Sequence, residues 1–333
     1  MRLSDNPRVD VSPLTQQELD GLVGIAARLC KAISSVVVAP PELTELTVAT
    51  LLAGGHLLVE DVPGVGKTTL AKALARTIDA PVGRIQFTPD LLPSDVTGVS
   101  IFRPATGEFE FRQGPVFNTV VIGDEINRAS PKTQSALLEC MEEGQVTVDG
   151  TTYPLPQPFL VVATQNPVDL EGTYPLPEAQ RDRFMARLEI GYPTPDNELA
   201  MLDRMEASNP LDALTPVCSG ADVERLVAMV PHIYAADPIK RYVLDLVHAT
   251  RQDPAVRLGA SPRAALQLLR AAKAVAAMSG RDHVLPDDVQ SVVTPVLAHR
   301  LILHAHERAA GVTDACIVAA IVAKTPIPSA KLV

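Results

Sequence analysis

The sequence predicts an α/β fold, in which a parallel sheet is followed by a smaller all-helical domain. Three observations support this prediction. Residues 57–75 read as a strand, a glycine loop and a helix in direct succession. Two later apolar runs, residues 118–123 and 159–164, end in polar residues, as buried parallel strands do where they meet a ligand. Beyond residue 193 the strand patterns cease, and helical patterns follow one another to the end.

The length of 333 residues is typical of two domains. The stretch Gly191–Pro195 contains two prolines and marks the change in pattern, so we place the boundary there. Residues 1–193 are therefore predicted to form the α/β domain, and residues 194–333 the helical domain.

The composition argues against several classes of protein. A hydrophobic content of 47% and a charged content of 20% indicate a soluble globular protein. A net charge of −10 argues against duplex nucleic-acid binding, which relies on lysine and arginine. The N-terminus lacks a signal-peptide pattern, and no apolar run approaches the ~20 residues that cross a bilayer. The four cysteines and seven histidines show no metal-site spacing. We therefore expect a cytoplasmic protein with reduced thiols and no membrane span.

The first predicted element is a helix over Thr15–Ile33, where apolar residues recur at helical spacing. Thr15 is a suitable N-cap, and Glu18 is placed to complete a capping box. The next predicted elements are a helix over residues 42–52 and strands over residues 56–60 and 82–87.

The glycine loop reads EDVPGVGKTT over residues 60–69. Its backbone N–H groups and the positive end of the following helix would face one anion, with Lys67 reaching the outer phosphates of a nucleotide and Thr68 a Mg²⁺ ion. Asp61 stands where the pattern usually has its first glycine. The alternative is a chance match in a surface loop, which the flanking strand and helix disfavour. The predicted nucleotide-binding residues of this loop are Pro63, Gly64, Val65, Gly66, Lys67, Thr68 and Thr69.

Two β-hairpins are predicted outside the sheet. In the first, Ser100–Phe102 faces Phe109–Phe111 across a turn within the proline-bracketed residues 88–117. Its hydrophobic face could contact a partner or a neighbouring subunit, or could pack back on its own domain. The second covers residues 145–155, because Asp149-Gly150 lies between two alternating segments.

Polar residues with catalytic potential follow two of the apolar strands. Asp124 would hold Mg²⁺ through water, and Glu125 would orient and deprotonate the attacking water. The alternative is that both are ordinary carboxylates of a strand-end turn. Asn166 follows the strand 159–164 at the same edge, where its amide could hold the water or sense the γ-phosphate. The alternative for Asn166 is a simple Asn-Pro turn.

Three arginines are candidate phosphate ligands. Arg181 and Arg183 lie in a segment, residues 178–184, that is predicted to be helical and to lead into a strand over residues 186–190. Each could be a solvated surface charge, or one of the two could reach a phosphate bound by an adjacent subunit. Arg263 lies in the first turn of a serine-capped helix, where it could favour an anion or face solvent. The other predicted helices cover residues 132–142, 197–205, 220–229, 238–250, 262–278, 286–299 and 313–323.

Four motifs resemble the MoxR family of AAA+ ATPases in their order and spacing. They are VPGVGKTTLAKALA, VVIGDEINRASPKTQSALLECMEEGQVTVDG, FLVVATQNPVDLEGTYPLPEAQRDRF and GASPRAALQLLRAA, and the likeness runs from about Leu51 to Pro328. The resemblance implies an AAA+ P-loop NTPase core, with a parallel sheet of strand order 5-1-4-3-2 and helices on both faces, followed by an all-α lid domain. The two hairpins are similar to the family's helix-2 insert and to its hairpin before sensor 1.

The resemblance also implies a role for each candidate residue. The matches are Lys67 and Thr68 to the Walker A pair, Asp124 and Glu125 to the Walker B pair, Asn166 to sensor 1, Arg183 to the arginine finger and Arg263 to sensor 2. Thr68 and Asp124 would hold the Mg²⁺ ion. Arg181 stands where the family usually has leucine, so it is a second candidate for the finger. Residues 37–40 read Val-Val-Ala-Pro, whereas many family members have a Val-Gly-Gln segment near the adenine base at this place.

The activity implied by the resemblance is Mg²⁺-dependent ATP hydrolysis by a homo-oligomeric ring, because Arg183 would serve a neighbour's γ-phosphate. The ring is expected to be a hexamer. A chaperone-like role on a protein client is implied, with a von Willebrand factor A domain protein as partner. One alternative is a nucleic-acid motor, which the net acidity disfavours. Another is a scaffold that binds ATP with little turnover, which the presence of Glu125, Asn166 and Arg183 disfavours.

Overall fold

The computed structural model describes residues 14–166, 173–199, 201 and 209–328. Residues 195–199 and Met201 are helical, and the rest of the helix predicted over residues 197–205 lies outside the described part of the chain. Among the described residues, no helix is both long enough and apolar enough to cross a membrane.

Five parallel strands form the central sheet. In chain order they are β1 (Leu57–Glu60), β2 (Val82–Gln86), β3 (Val120–Asp124), β4 (Leu160–Gln165) and β5 (Ala186–Leu188). Across the sheet they lie in the order β5-β1-β4-β3-β2, and every pair of neighbours is parallel. The predicted α/β class and the strand order 5-1-4-3-2 are confirmed.

Both faces of this sheet are buried. Leu57 and Val59 of β1 belong to one apolar cluster, and Leu58 between them belongs to another. Helices that contribute to the first cluster are Gln16–Ser34, Pro41–Leu52 and Lys67–Thr77. The helix Pro131–Glu143 contributes to the second. Because helices cover both faces, the strands read as near-continuous apolar runs and not as alternating ones.

The helices follow the predicted order closely. Thr15 and Glu18 form the predicted capping box, in which the Thr15 N–H donates to Glu18 Oε2 at 2.8 Å. The further α-helices are Pro93–Thr97, Glu178–Arg181, Gly220–Met229, Asp237–Gln252, Pro262–Met278, Pro286–Leu297, Ala305–Ala309 and Asp314–Lys324.

Two short strand pairs interrupt the helical pattern of the C-terminal half. Val256–Leu258 pairs antiparallel with Ile302–Leu303, and Cys218–Ser219 pairs in parallel with Ile78–Asp79. The C-terminal region is otherwise helical, as predicted. The division at residue 193 stays a prediction.

Both predicted hairpins are present. The first pairs Gly98–Arg103 with Glu108–Gln113, and the second pairs Gln145–Val148 with Thr151–Pro154. Asp149 and Gly150 at the second turn have φ of 50° and 79°, the left-handed values that a two-residue hairpin turn requires. Phe111 of the first hairpin stacks on Tyr153 of the second, with ring centroids 4.3 Å apart.

The segment that contains Arg181 and Arg183 differs from its prediction. The helix predicted over residues 178–184 ends at Arg181, and the N–H groups of Arg183 and Phe184 donate to carbonyl oxygens three residues back, at 3.2 and 3.1 Å. The carbonyl oxygens of Asp182 and Phe184 accept hydrogen bonds from Arg300. The strand predicted over residues 186–190 ends at Leu188, because the Ile190 N–H donates to Asp61.

His56, immediately before β1, is buried and uncharged. Its Nδ1 accepts the Val161 N–H at 3.1 Å, so the proton lies on Nε2, which faces the Met141 carbonyl oxygen at 3.3 Å. Burial lowers the pKa of His56 from 6.5 to about 4. The unfolded chain therefore binds a proton that the folded chain excludes at any pH between these values.

We expect the free energy of unfolding to fall as the pH falls from 6.5 towards 4, because this histidine is neutral in the folded state and protonated in the unfolded state. The loss from this group is about 3 kcal/mol. His56→Gln keeps one donor and one acceptor and does not titrate, so its urea-unfolding free energy should depend less steeply on pH. His248→Gln, at an exposed histidine, is the matched control. Equal slopes for His56→Gln and the wild type would contradict the assignment.

Candidate functional site

The carboxyl ends of β1, β3 and β4 meet around one cavity of about 340 Å³. It is lined by Pro63, Gly64, Gly66, Lys67, Thr68, Thr69, Arg84, Gln86, Asp124, Glu125, Thr164 and Asn166. Nine of the residues predicted from the sequence are in this set. Val65, also predicted, packs instead against the apolar cluster beneath the loop.

The glycine loop leads directly into the helix Lys67–Thr77, whose first turn lines the cavity. Gly64 and Gly66 have φ of 88° and 94°, a conformation that strains any residue with a side chain. The first N–H groups of this helix have no partner within it, and the helix dipole places positive charge there. The loop therefore has the form of an anion site.

Lys67 is held over the loop by the loop's own backbone. Its Nζ donates to the carbonyl oxygen of Val62 at 2.9 Å and to that of Asp61. Burial lowers the pKa of Lys67, and the nearby carboxylates of Asp61 and Glu125 oppose that change. The ammonium group is thus positioned at the cavity wall.

Asp61, which replaces the usual first glycine, has a structural role. Its Oδ2 accepts the N–H groups of Ile190 and Gly191 at 2.7 and 2.6 Å, and its Oδ1 accepts the Val62 N–H at 2.7 Å. These bonds tie the start of the glycine loop to the chain that leaves β5. No signal near Asp61 in the sequence points to partners 130 positions away.

Thr68 and Asp124 meet from opposite sides of the cavity. The Thr68 hydroxyl donates to Asp124 Oδ1 at 2.9 Å, and the Asp124 side chain is only 4% exposed. Mg²⁺ prefers such hard oxygen ligands and usually keeps several waters beside one or two protein ligands and substrate phosphates. Among the described residues, no group of three or more His, Cys, Asp or Glu side chains could hold a metal. The Thr68–Asp124 pair fits an ion that is held mainly by phosphate and water.

Glu125 adopts a left-handed backbone conformation, with φ of 56°. Its N–H donates to the Thr164 hydroxyl at 3.0 Å, and this bond helps to hold the conformation. The carboxylate lies at the cavity, where Arg128 pairs with it at 2.9 Å. Strained residues of this kind cluster at active sites, where the strain orients a reacting side chain.

Asn166 lies at the end of β4 and lines the same cavity. Its backbone carbonyl oxygen accepts a hydrogen bond from the Asn127 side chain at 3.1 Å. Pro167, the second residue of the alternative Asn-Pro turn, lies outside the described residues. The position supports a role for Asn166 at the cavity, and its function as a sensor stays a prediction.

Arg183 and Arg263 do not line the cavity but share a carboxylate elsewhere. Arg183 Nε lies 2.8 Å from Glu142 Oε2, and Arg263 donates to Glu142 Oε1. The two guanidinium groups lower the pKa of Glu142, with Arg263 contributing most. Sequence reasoning did not select Glu142, since it lies 41 positions from Arg183 and 121 from Arg263.

Arg181, the second candidate for the finger, has a different environment. Burial lowers the pKa of its guanidinium, and the carboxylates of Glu60 and Glu178 oppose this. Its Nε is buried and has no hydrogen-bond partner within the described part of the chain. The Arg181 guanidinium therefore lies near carboxylates of its own protomer, and the assignment of the finger to Arg183 stays a prediction.

Arg300 holds the loop that carries Arg183. Its side chain is 2% exposed, its Nε donates to Asp182 Oδ1 at 2.8 Å and its Nη2 donates to the Phe184 carbonyl oxygen at 2.6 Å. Burial lowers the pKa of Arg300 to about 10, although Asp182 opposes the shift. The Ser261 hydroxyl also donates to Asp182, at 3.0 Å, so the loop is tied to the helix that carries Arg263.

Family models match two parts of the chain. Residues 56–186 match the model described as ATPase family associated with various cellular activities (AAA), and residues 248–321 match an AAA lid domain. The first match contains the whole central sheet except the last strand's final residues, 187 and 188.

Several relatives match over most of the chain. The protein YeaC of Bacillus subtilis is 50% identical over 94% of this chain and 97% of its own. Chaperone MoxR1 of Mycobacterium tuberculosis is 41% identical over 88% of this chain and 81% of its own. Protein MoxR of Paracoccus denitrificans is 32% identical over 90% of this chain and 95% of its own. A crystal structure from Cytophaga hutchinsonii is 39% identical, with a TM-score of 0.85, and covers 94% of this chain and 98% of that one.

Proposed function

The chain belongs to the MoxR family of AAA+ ATPases, and from this premise we propose that it is a ring-forming, Mg²⁺-dependent ATPase that remodels or matures a protein complex. The observation that supports the proposal most strongly is the convergence of Lys67, Asp124, Glu125 and Asn166 on one cavity. These residues come from three strand ends that are far apart in the chain.

Each cavity residue has a distinct task in hydrolysis. Lys67 and the backbone N–H groups of the glycine loop bind the outer phosphates, and Thr68 and Asp124 hold the metal and its waters. A Mg²⁺ ion held there would supply positive charge that neutralises the charge developing on the phosphate oxygens. Glu125 orients the attacking water and accepts its proton, and Asn166 holds that water with its amide.

Arg183 completes the site of an adjacent protomer, and Arg263, the match to sensor 2, is a further candidate ligand for a nucleotide phosphate. Both lie outside their own cavity, and both contact the single carboxylate of Glu142, which can balance only one of the two positive charges. A neighbour's γ-phosphate would supply the remaining negative charge, and Arg binds phosphate with a bidentate geometry. Hydrolysis then needs a closed ring, which we expect to be hexameric.

The biological role extends the same proposal. The name of the relative Chaperone MoxR1 supports a chaperone-like role on a protein client. The expected partner, a protein with a von Willebrand factor A domain, and the cytoplasmic location rest on the family resemblance and on the sequence pattern.

Multiple-turnover phosphate release tests the function. We expect the wild type to release many equivalents of phosphate per protomer with ATP and Mg²⁺, and to lose activity when EDTA removes the metal. Lys67→Ala should lose nucleotide binding and turnover, because the outer phosphates lose their cation. Lys72→Ala is the matched control, since Lys72 lies in the same helix but outside the cavity lining.

Two results would favour other functions. Tight ATP binding with less than one turnover per protomer in assembled rings would indicate a nucleotide-gated scaffold. Strong stimulation of turnover by DNA would indicate a nucleic-acid motor.

A further inference from the structure

Arg84 is a cavity residue without a role in the function proposed above. It lies in β2, and its Nε donates to Asp124 Oδ2 at 2.8 Å. The Asp124 side chain is 4% exposed, whereas the Arg84 side chain is 53% exposed. Arg84 Nη2 also faces Gln86 Oε1 at 3.4 Å, and both side chains line the cavity. The guanidinium group thus contacts the buried carboxylate and also borders the cavity.

Both oxygens of Asp124 are occupied in this arrangement. Oδ1 accepts the Thr68 hydroxyl, and Oδ2 accepts Arg84. The carboxylate that would hold the metal is therefore already balanced by a cation of the protein itself. A buried carboxylate without such a partner would carry a large desolvation cost.

A divalent cation beside Asp124 changes this balance. It brings two positive charges to a carboxylate that carries one negative charge, so the Arg84–Asp124 attraction is offset by repulsion between the guanidinium group and the metal. Arg84 would then need another acceptor. The phosphate oxygens of a nucleotide on the glycine loop are in the same cavity, and the planar guanidinium group can bind two of them at once.

We propose that Arg84, which pairs with Asp124, is a nucleotide-contacting residue that turns to the γ-phosphate when ATP and the metal are bound. This inference rests on the proposed function. Its consequence is selectivity, because ADP has no γ-phosphate for Arg84 to bind. The protein then distinguishes triphosphate from diphosphate within one protomer, before any neighbour contributes Arg183.

The measured quantity is the ratio of the dissociation constants for ADP and ATP, determined by calorimetry with Mg²⁺ in the Glu125→Gln protein, which should not consume the ATP. Adding Arg84→Ala should lower this ratio by about tenfold to hundredfold, the range expected for hydrogen bonds to a charged group. Arg84→Lys keeps the charge but not the planar fork, and should give an intermediate ratio. Arg76→Ala removes an arginine that pairs with Asp212 away from the cavity, and should leave the ratio unchanged.

An unchanged ratio in Arg84→Ala, including equal weakening of both nucleotides, would overturn the inference and would reduce Arg84 to a partner that stabilises Asp124. Circular dichroism checks that each variant folds. If Arg84→Ala does not fold, the same criterion applies to Arg84→Lys and Arg84→Gln. Absence of ATP binding by the Glu125→Gln protein itself would instead contradict the proposed function, so the two failures are distinguishable.

Discussion

Replacing Glu125 with glutamine is expected to produce a protein that binds ATP and stalls before hydrolysis. The amide keeps the size of the side chain but cannot accept the proton of the attacking water. General-base catalysis commonly contributes ~10²–10⁴ in rate, so turnover should fall by at least about a hundredfold. The phosphate contacts come from the glycine loop, so ATP affinity should stay within a few-fold of the wild type.

Two measurements together test this expectation. Steady-state phosphate release reports turnover, and retention of radiolabelled ATP after gel filtration reports the stalled complex. Glu139→Gln, at an exposed position on the helix Pro131–Glu143, is the matched control and should behave as the wild type. Normal hydrolysis by Glu125→Gln would show that another group acts as the base. The stalled protein is also the best form in which to isolate a client.

Replacing Arg183 with alanine should have a similarly large effect for a different reason. An arginine finger supplied by an adjacent subunit commonly contributes ~10³–10⁵ in rate, because it stabilises charge on the phosphoryl group in the transition state. Arg183 does not line its own cavity, so ATP affinity should change little. Arg181→Ala should cause a smaller loss of turnover, since that side chain is partly buried near Glu60 and Glu178 of its own protomer.

Mixing two inactive variants tests whether Arg183 acts between protomers. Arg183→Ala retains Glu125, and Glu125→Gln retains Arg183, so an interface that joins the two can be complete. Random mixed rings at equal concentrations should contain complete interfaces at about a quarter of positions. Phosphate release should then rise well above that of either variant alone. Each variant mixed with Lys67→Ala serves as a further comparison. No recovery in rings that demonstrably exchange subunits would contradict the assignment in trans.

Local signals explain most of what could be predicted. The capping box at Thr15 and Glu18 needs residues three positions apart, and the second hairpin needs only Asp149-Gly150 between alternating residues. The glycine loop depends on a short run of residues with a strand before it and a helix after it. In each case the residues that determine the geometry are neighbours in the chain, so a pattern in the sequence is sufficient.

The strand order was reached by resemblance, because alternation and hydrophobicity do not specify which strands become neighbours. Once that order is known, Asn166 lies between the glycine loop and Asp124 by necessity, since β4 separates β1 from β3. Only at this level is the sensor interpretation favoured over a simple Asn-Pro turn, and it stays a prediction.

Residues that act through distant partners were not predictable. Asp61 departs from the usual glycine, yet only the folded chain brings the Ile190 N–H within 2.7 Å of its carboxylate. Arg84 in β2 and Asp124 in β3 are 40 positions apart, and Glu142 reaches across 121 positions to Arg263. Such contacts leave no recognisable pattern in the sequence, because the spacing of charged residues along a strand or helix is the same whether their side chains face water or a distant partner.

The amino-acid order was therefore sufficient for the class of fold, the position of the glycine loop and the strand-end carboxylates, all of which follow from local geometry and from where apolar runs stop. Packing was needed to place Arg183 and Arg263 on one carboxylate outside the cavity and Arg84 on another inside it. Electrostatic partners are chosen by distance in space, and that distance exists only after the sheet has brought separate strand ends together.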